Sequence, residues 1–292
     1  MFLNKGCSEA MNKQKITILT FSLLLVGSML SAQGDVVRKR HNYEFSAQDY
    51  LIFEIEIDAA EVKISPNTHE TELSVFLKFN DESFDYDIDF DEHDNNISLS
   101  FEKKQWIDDH DGQLRAEIEI LLPPSVVVDL DCRIKAGEVD MQLGDLSLKR
   151  LALKTWAGDV RVDFQQPNRI AMRSLLLNTK IGETRLKNLG NARFRHAEIN
   201  NGIGQLEIDF TGLAEGASAD VDLDIGATEI FIPDEVGVKL SVHKFLFLSQ
   251  VDIPHKLRKK GKYYISDNYH RDDKSVILKV KPGIGDLRIS YH

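Results

Sequence analysis

Cysteine is almost missing from this sequence: Cys7 and Cys132 are the only two in 292 residues. Cys7 stands ahead of an export-signal pattern, so Cys132 is expected to be alone in the processed chain, where no intramolecular disulfide can form. Because Cys7 lies before that pattern rather than at its end, its position argues against a lipid-modified amino-terminal cysteine. Signatures of catalysis are also lacking. There is no G-x-S-x-G, no H-E-x-x-H and no paired C-x-x-C, and His93, His110, His196, His243, His255 and His270 show no ligand spacing. Neither a catalytic residue nor a metal or other cofactor is therefore predicted. Positive charge is in deficit, with 36 Lys and Arg against 47 Asp and Glu and a formal net charge of -11. A chain of that sign repels nucleic acid and polyanionic glycans at long range, which excludes nucleic acid as a general partner. Beyond residue 30 no apolar run is long enough to span a bilayer, so the processed chain is not expected to be an integral membrane protein.

The amino terminus carries the three parts of a secretory signal: Lys13 and Lys15 after Met11, an apolar run over residues 16–30, then Ser31 and Ala32. A signal peptide is predicted over 11–33, with either Met1 or Met11 as the start of translation and a periplasmic or extracellular destination. The alternative is an uncleaved anchor, for which the run is short. With 42% hydrophobic residues the remainder can bury a large core.

Glycine followed by a polar or small residue recurs at Gly137, Gly158, Gly182, Gly204, Gly226 and Gly285, the first five at steps of 21, 24, 22 and 22 residues. Other positions keep step with it. Two residues after the glycine stand Val139, Val160, Thr184, Leu206, Thr228 and Leu287; five residues before it stand Cys132, Leu153, Leu177, Ile199, Val221 and Val280. This alternation marks a half-buried strand on each side. Inward residues fall at odd offsets before the glycine and even offsets after it, so the glycine must absorb a change of parity through a bend with φ > 0. A further copy has Ala60 in the glycine slot, flanked by Phe53, Ile55, Val62 and Ile64.

A strand, a bend and a strand in roughly 22 residues is the size of one solenoid rung. Between Ala60 and Gly137, alternating runs at 73–79, 84–90, 97–101 and 114–122 read as an antiparallel meander. The fold class predicted is all-β: a β-solenoid of two-strand rungs with an inserted antiparallel β-meander. The amino-terminal rung and meander are expected over 43–125 and the solenoid over 126–292, the two able to form one continuous domain. Cys132 occupies a slot otherwise filled by Leu, Ile and Val and is expected in the core.

From Ile118 onward the order runs Leu122-Pro123-Pro124, a Val-rich strand, successive glycine bends, Pro167-Asn168, Asp209-Phe210-Thr211-Gly212, Ile232-Pro233, Gly237-Val238, a tyrosine-bearing segment over 263–269 and Gly283-Ile284-Gly285. This order resembles the toast-rack β-solenoid domains of bacterial envelope proteins, related to the carboxy-terminal domains of cell-wall-stress-response proteins and to candidate adhesins. The resemblance implies a non-enzymatic envelope role, as a scaffold or interaction module linked to envelope stress, and supplies no catalytic residue. Two alternatives stay open: an adhesin-like binder of glycan or protein, and a glycan-active enzyme, since solenoids also host such chemistry. The partner expected is an envelope protein or glycan, and open solenoid ends make self-association a further expectation.

Among candidate sites, Asp85, Asp87, Asp89 and Asp91 fall on one strand face. Side chains on one face are nearly 7 Å apart and parallel, so a solvated face is expected rather than a calcium site. The loop 108–112 resembles a calcium loop, but Ile107 stands where its first Asp belongs. Lys256, Arg258, Lys259, Lys260 and Lys262, beside His255, form a basic cluster in an acidic chain. That cluster is the candidate interaction patch, suited to lipid phosphates or an acidic polymer within a Debye length of about 8 Å. Trp106 and Trp156 are the aromatic residues to locate, and Asp140, Arg161, Arg185, Glu207 and Glu229 form a predicted outward charge ladder.

Overall fold

The central glycine of each repeat sets how the backbones approach one another. In the computed structural model, which describes residues 36–104, 116–244, 248–270 and 274–292, the six repeat glycines have φ between 130° and 145°. A β-carbon on Gly182 would lie 2.1 Å from the carbonyl oxygen of Gly158, one repeat earlier. Only glycine fits such a contact and such a φ. Ala60 has no positive φ, and it is its carbonyl oxygen that a β-carbon on Gly137 would strike, at 1.9 Å. The signal-like segment 11–33, Trp106 and the loop 108–112 lie outside the described residues.

In chain order the strands are β1 (Val36–Glu44), β2 (Tyr50–Ala59), β3 (Glu61–Pro66), β4 (Glu72–Asn80), β5 (Phe84–Asp91), β6 (Asn96–Lys103), β7 (Glu117–Leu122), β8 (Val127–Ala136), β9 (Val139–Gln142) and β10 (Ser147–Ala157). They continue as β11 (Val160–Asp163), β12 (Ser174–Lys187), β13 (His196–Asp209), β14 (Ala217–Ile232), β15 (Gly237–Val242), β16 (Ser249–Asp252), β17 (Arg258–Lys260), β18 (Tyr263–Ile265), β19 (Ser275–Lys281) and β20 (Ile284–Tyr291). One short 3-10 turn, Leu189–Ala192, interrupts them.

Strands before the bend pair in parallel in the spatial order β6, β2, β8, β10, β12, β13, β14, β19, β15. Those after it run β7, β3, β9, β11, β12, β13, β14, β20, β16. β12, β13 and β14 pass through the bend and belong to both runs. The register is one repeat per step, with Gly182 opposite Gly204, Gly204 opposite Gly226 and Gly226 opposite Gly285.

Two arrangements differ from the sequence reading. The meander is antiparallel where β5 meets β6, β4 meets β7 and β1 meets β4. Yet β6 and β7 themselves lie parallel to β2 and β3 and act as one more repeat outside the first. Their inward residues Ile97, Leu99, Phe101, Ile118, Ile120 and Leu122 are buried, so they present the same apolar face without needing the glycine. At the other end, β19 and β20 insert between β14 and the pair β15 and β16, so spatial order departs from chain order.

Between the two runs lies a core of Leu, Ile, Val and Phe. Cys132 is fully buried within it, and burial pushes its thiol far above the ordinary range, so it packs as a small hydrophobe. Near the bend the core turns polar: Asn201 accepts through Oδ1 from the hydroxyls of Thr179 and Thr184, the latter at 3.0 Å, while its Nδ2 has no partner. No helix among the described residues is long and apolar enough to cross a membrane. Residues Gly34–His292 form one compact unit.

Candidate functional site

The basic cluster becomes a hairpin. β17 and β18 pair antiparallel with Lys260 opposite Tyr263, leaving a two-residue loop of Gly261 and Lys262. Gly261 has φ 64° and Lys262 has no positive φ, the pattern of a Gly-first hairpin turn. β18 pairs antiparallel with β15, Lys239 opposite Ile265 and Leu240 opposite Tyr264. Since cross-strand partners share a face, Arg258, Lys260, Tyr263 and Lys239 face away from the side on which Leu240 is buried.

Two of the five predicted cations are already neutralised: Lys256 lies 2.6 Å from Asp234 and Arg258 lies 3.0 Å from Asp267. Lys259, Lys260 and Lys262 have no ion pair among the described residues. Lys262 lies 5.2 Å from the ring centre of Tyr263 and Lys239 lies 4.4 Å from the same ring. Lys239, on β15, is a member that the sequence cluster missed because it is about twenty residues away in the chain and comes into reach only through the strand pairing. Lys256 also covers Tyr291 at 5.1 Å, and burial raises that phenol to about 12. The result is a cationic, tyrosine-bearing hairpin at an edge of the sheet. Such a surface can hold phosphate or carboxylate groups through Lys ammoniums.

The other candidates stay apart. Asp85, Asp87, Asp89 and Asp91 are exposed on one face of β5, and no cluster of metal-ligating side chains occurs among the described residues. The outward ladder exists as register partners, Asp140 opposite Arg161 and Arg185 opposite Glu207, with the latter charges 4.0 Å apart. Exposed pairs of this kind contribute little. Trp156 is 40% exposed, with Lys154 at 4.8 Å from its ring. A groove of about 260 Å³ on the β1, β4 and β7 side sets Arg38, Lys39, Lys63 and Lys78 against Glu61, Glu117 and Glu119, so its charges nearly cancel.

An ion cluster that the sequence did not reveal ties three loops together. Arg169 donates to Glu70 at 2.7 Å and to Asp145 at 2.8 Å, and Ser125 lies 3.2 Å from it. These bonds hold the carboxyls of Glu70 and Asp145 below their ordinary values and raise the guanidinium. Its members are separated by up to about a hundred residues, so no local pattern announces it.

Residues 32–173 match the N-terminal domain of toast_rack, DUF2154. The match reaches back through the meander, well ahead of Ile118 where the sequence resemblance began. No curated protein matches the chain. Among solved structures, a candidate cell adhesion protein from Clostridium sporogenes ATCC 15579 is 14% identical, with a TM-score of 0.49 over 88% of this chain and 100% of that one. A candidate adhesin from Bacteroides fragilis NCTC 9343 is 11% identical, with a TM-score of 0.40 over 87% and 97%. A candidate lipid binding protein from Parabacteroides distasonis ATCC 8503 is 10% identical, with a TM-score of 0.28 over 85% and 96%.

Proposed function

We propose, from the premise that this chain belongs to the toast-rack family, that it is an exported envelope protein working without catalysis as an interaction module. Its parallel stack is read as a β-solenoid whose rungs are two-strand units of roughly 22 residues. The observation that carries the reading is the hairpin of β17 and β18. Lys239 and Lys262 lie over Tyr263 and Lys260 is its cross-strand partner, all three with no carboxylate partner among the described residues of an otherwise acidic protein. Each contact of an ammonium with the Tyr263 ring contributes only about 0.5–1 kcal/mol at an exposed site, so these cations remain open to an anionic group. An anionic group on an envelope component fits the arrangement. The link to envelope stress comes with the family and rests on no residue of this chain.

The test compares two variants in capture from envelope extracts. K239Q/K260Q/K262Q removes the unpaired cations, and K256Q/R258Q removes those already held by Asp234 and Asp267. A partner retained by the wild type and the second variant but lost by the first supports the reading. Equal capture by both variants, or loss in both, moves the contact off the outward face of the hairpin.

A further inference from the structure

The residue immediately before each repeat glycine points to solvent, and in the later repeats it is apolar. Ile181, Ile203, Ile225 and Ile284 are between 41% and 56% exposed, and Leu248 is 45% exposed. The register places them in one column: Ala157 opposite Ile181, Ile181 opposite Ile203, Ile203 opposite Ile225 and Ile225 opposite Ile284. Leu248 extends it, because its neighbour Ser249 is opposite Gly285. At the other end Ala157 is opposite Ala136. With strands about 4.8 Å apart, the six steps from Ala136 to Leu248 make a ridge about 29 Å long. Exposed β-branched side chains in an unbroken file are not the scattered apolar residues of an ordinary surface.

We propose that this ridge is a self-complementary docking surface, on which a second copy of the chain lies antiparallel about a two-fold axis through Ile203. The argument is one of size and charge. An antiparallel two-fold centred on Ile203 packs isoleucines at the middle, Ile203 on its own copy and Ile181 against the other copy's Ile225, and sets small residues against large ones toward the ends, Ala157 against Ile284 and Ala136 against Leu248. It also sets Lys180 against Asp224, twice, because these two residues flank the ridge on the same side, one repeat either way from Gly202. Both are exposed, and neither has an ion pair among the described residues. The carboxylates next along that strand, Asp220 and Asp222, are by contrast held by Lys279 at 3.1 Å and Lys281 at 2.7 Å. A parallel two-fold would instead set each residue on its own copy, leaving a gap where Ala136 and Ala157 meet themselves, and would bring Lys180 to Glu183, which already pairs with Arg185. In an isologous interface each contact occurs twice, so the Lys180 and Asp224 pairing counts double.

A strip this narrow lies at the small end of specific interfaces, and sheet twist concentrates contact on the three central repeats. The dimer should therefore be reversible and concentration-dependent. This inference is independent of the basic hairpin, which lies on another part of the surface.

Sedimentation velocity of the purified protein over about two decades of concentration tests it. The wild type should shift from monomer to dimer. I203K, which puts two ammoniums at the axis, should abolish the shift while leaving circular dichroism and melting unchanged. K180E and D224K should each weaken the dimer by at least about tenfold through like-charge contact, and K180E/D224K should restore it. A monomer at every concentration, a dimer indifferent to I203K, or a double variant no better than the singles would overturn the proposal. So would a monomer that floats with phosphatidylglycerol vesicles unless Ile203 is replaced, which would assign the ridge to a membrane.

Discussion

Replacing Gly182 with Val tests the physical basis of the stack. Gly182 has φ 141°, and a β-carbon there would come within 2.1 Å of the Gly158 carbonyl oxygen and 2.8 Å of its carbon. Both atoms are backbone and cannot swing aside. A bulky residue in that backbone region costs about 1–3 kcal/mol. Moving Gly158 away also breaks the bond from its N–H to the Ile181 oxygen, 3.0 Å in the native protein, at a further cost of about 1–3 kcal/mol. Together these give about 4 kcal/mol, roughly a thousandfold in the folding equilibrium, and a melting temperature lower by about 10 °C. Lys187→Ala, on the same strand but exposed, should stay within about 0.5 kcal/mol of the wild type. Repeat arrays can unfold in segments, so urea melts should be followed both by circular dichroism and by Trp156 fluorescence, which reports from the adjoining repeat. Midpoints for the two variants that agree within error would refute the claim that the bend excludes a side chain.

Two further outcomes follow from polar groups. Asn201→Leu removes an amide whose Nδ2 is buried without a partner and installs the residue that Leu223 already supplies at the equivalent position of the next repeat. Thr179 and Thr184, 3.1 Å apart, keep each other, so thermal melts should show a gain of about 1 kcal/mol; a loss above about 2 kcal/mol would mean that the amide is satisfied. Arg169→Met should lower the melting temperature at neutral pH and matter progressively less in acid. Because Glu70 and Asp145 titrate below their ordinary values when folded, their contribution is complete above the unfolded values and disappears as pH falls through the folded ones. A difference between wild type and variant that is the same at pH 7 as in strong acid would rule out this coupling.

How much of this could be read from the residues alone depends on whether the information is local. The glycine bends and the inward offsets were legible because each repeat states them within about 22 residues. The placement of β6 and β7 beside β2 and β3 was not, since alternation gives a strand its faces and says nothing of which neighbour it meets. The same limit hid Lys239 and the Arg169 cluster, which strand pairing and loop stacking bring together. Ile181, Ile203, Ile225 and Ile284 are a different case. Their constant offset from the glycine was available, but an apolar residue next to a bend passes for core until burial shows otherwise.

Why the ends depart from simple succession follows from what a parallel strand leaves open. An outermost parallel strand exposes a row of N–H and C=O groups to any further strand. Here antiparallel additions from the same chain cover β6 with β5, β7 with β4 and β1, and β15 with β18 and β17, whereas β16 pairs only with β20 among the described residues. These strands carry no repeat glycine, so another copy arriving on β5, β1 or β17 finds no backbone column to continue. They are also charged, with Asp85, Asp87, Asp89 and Asp91 on β5 and Arg258, Lys259 and Lys260 on β17. The covered strands work against continuation of the stack from copy to copy, whereas the ridge on the long side of the stack has no such cover. An apolar ridge on that side, bounded by Lys180 and Asp224, which have no ion pair among the described residues and lie one repeat either way from Ile203, is thus the surface on which association can close at two copies.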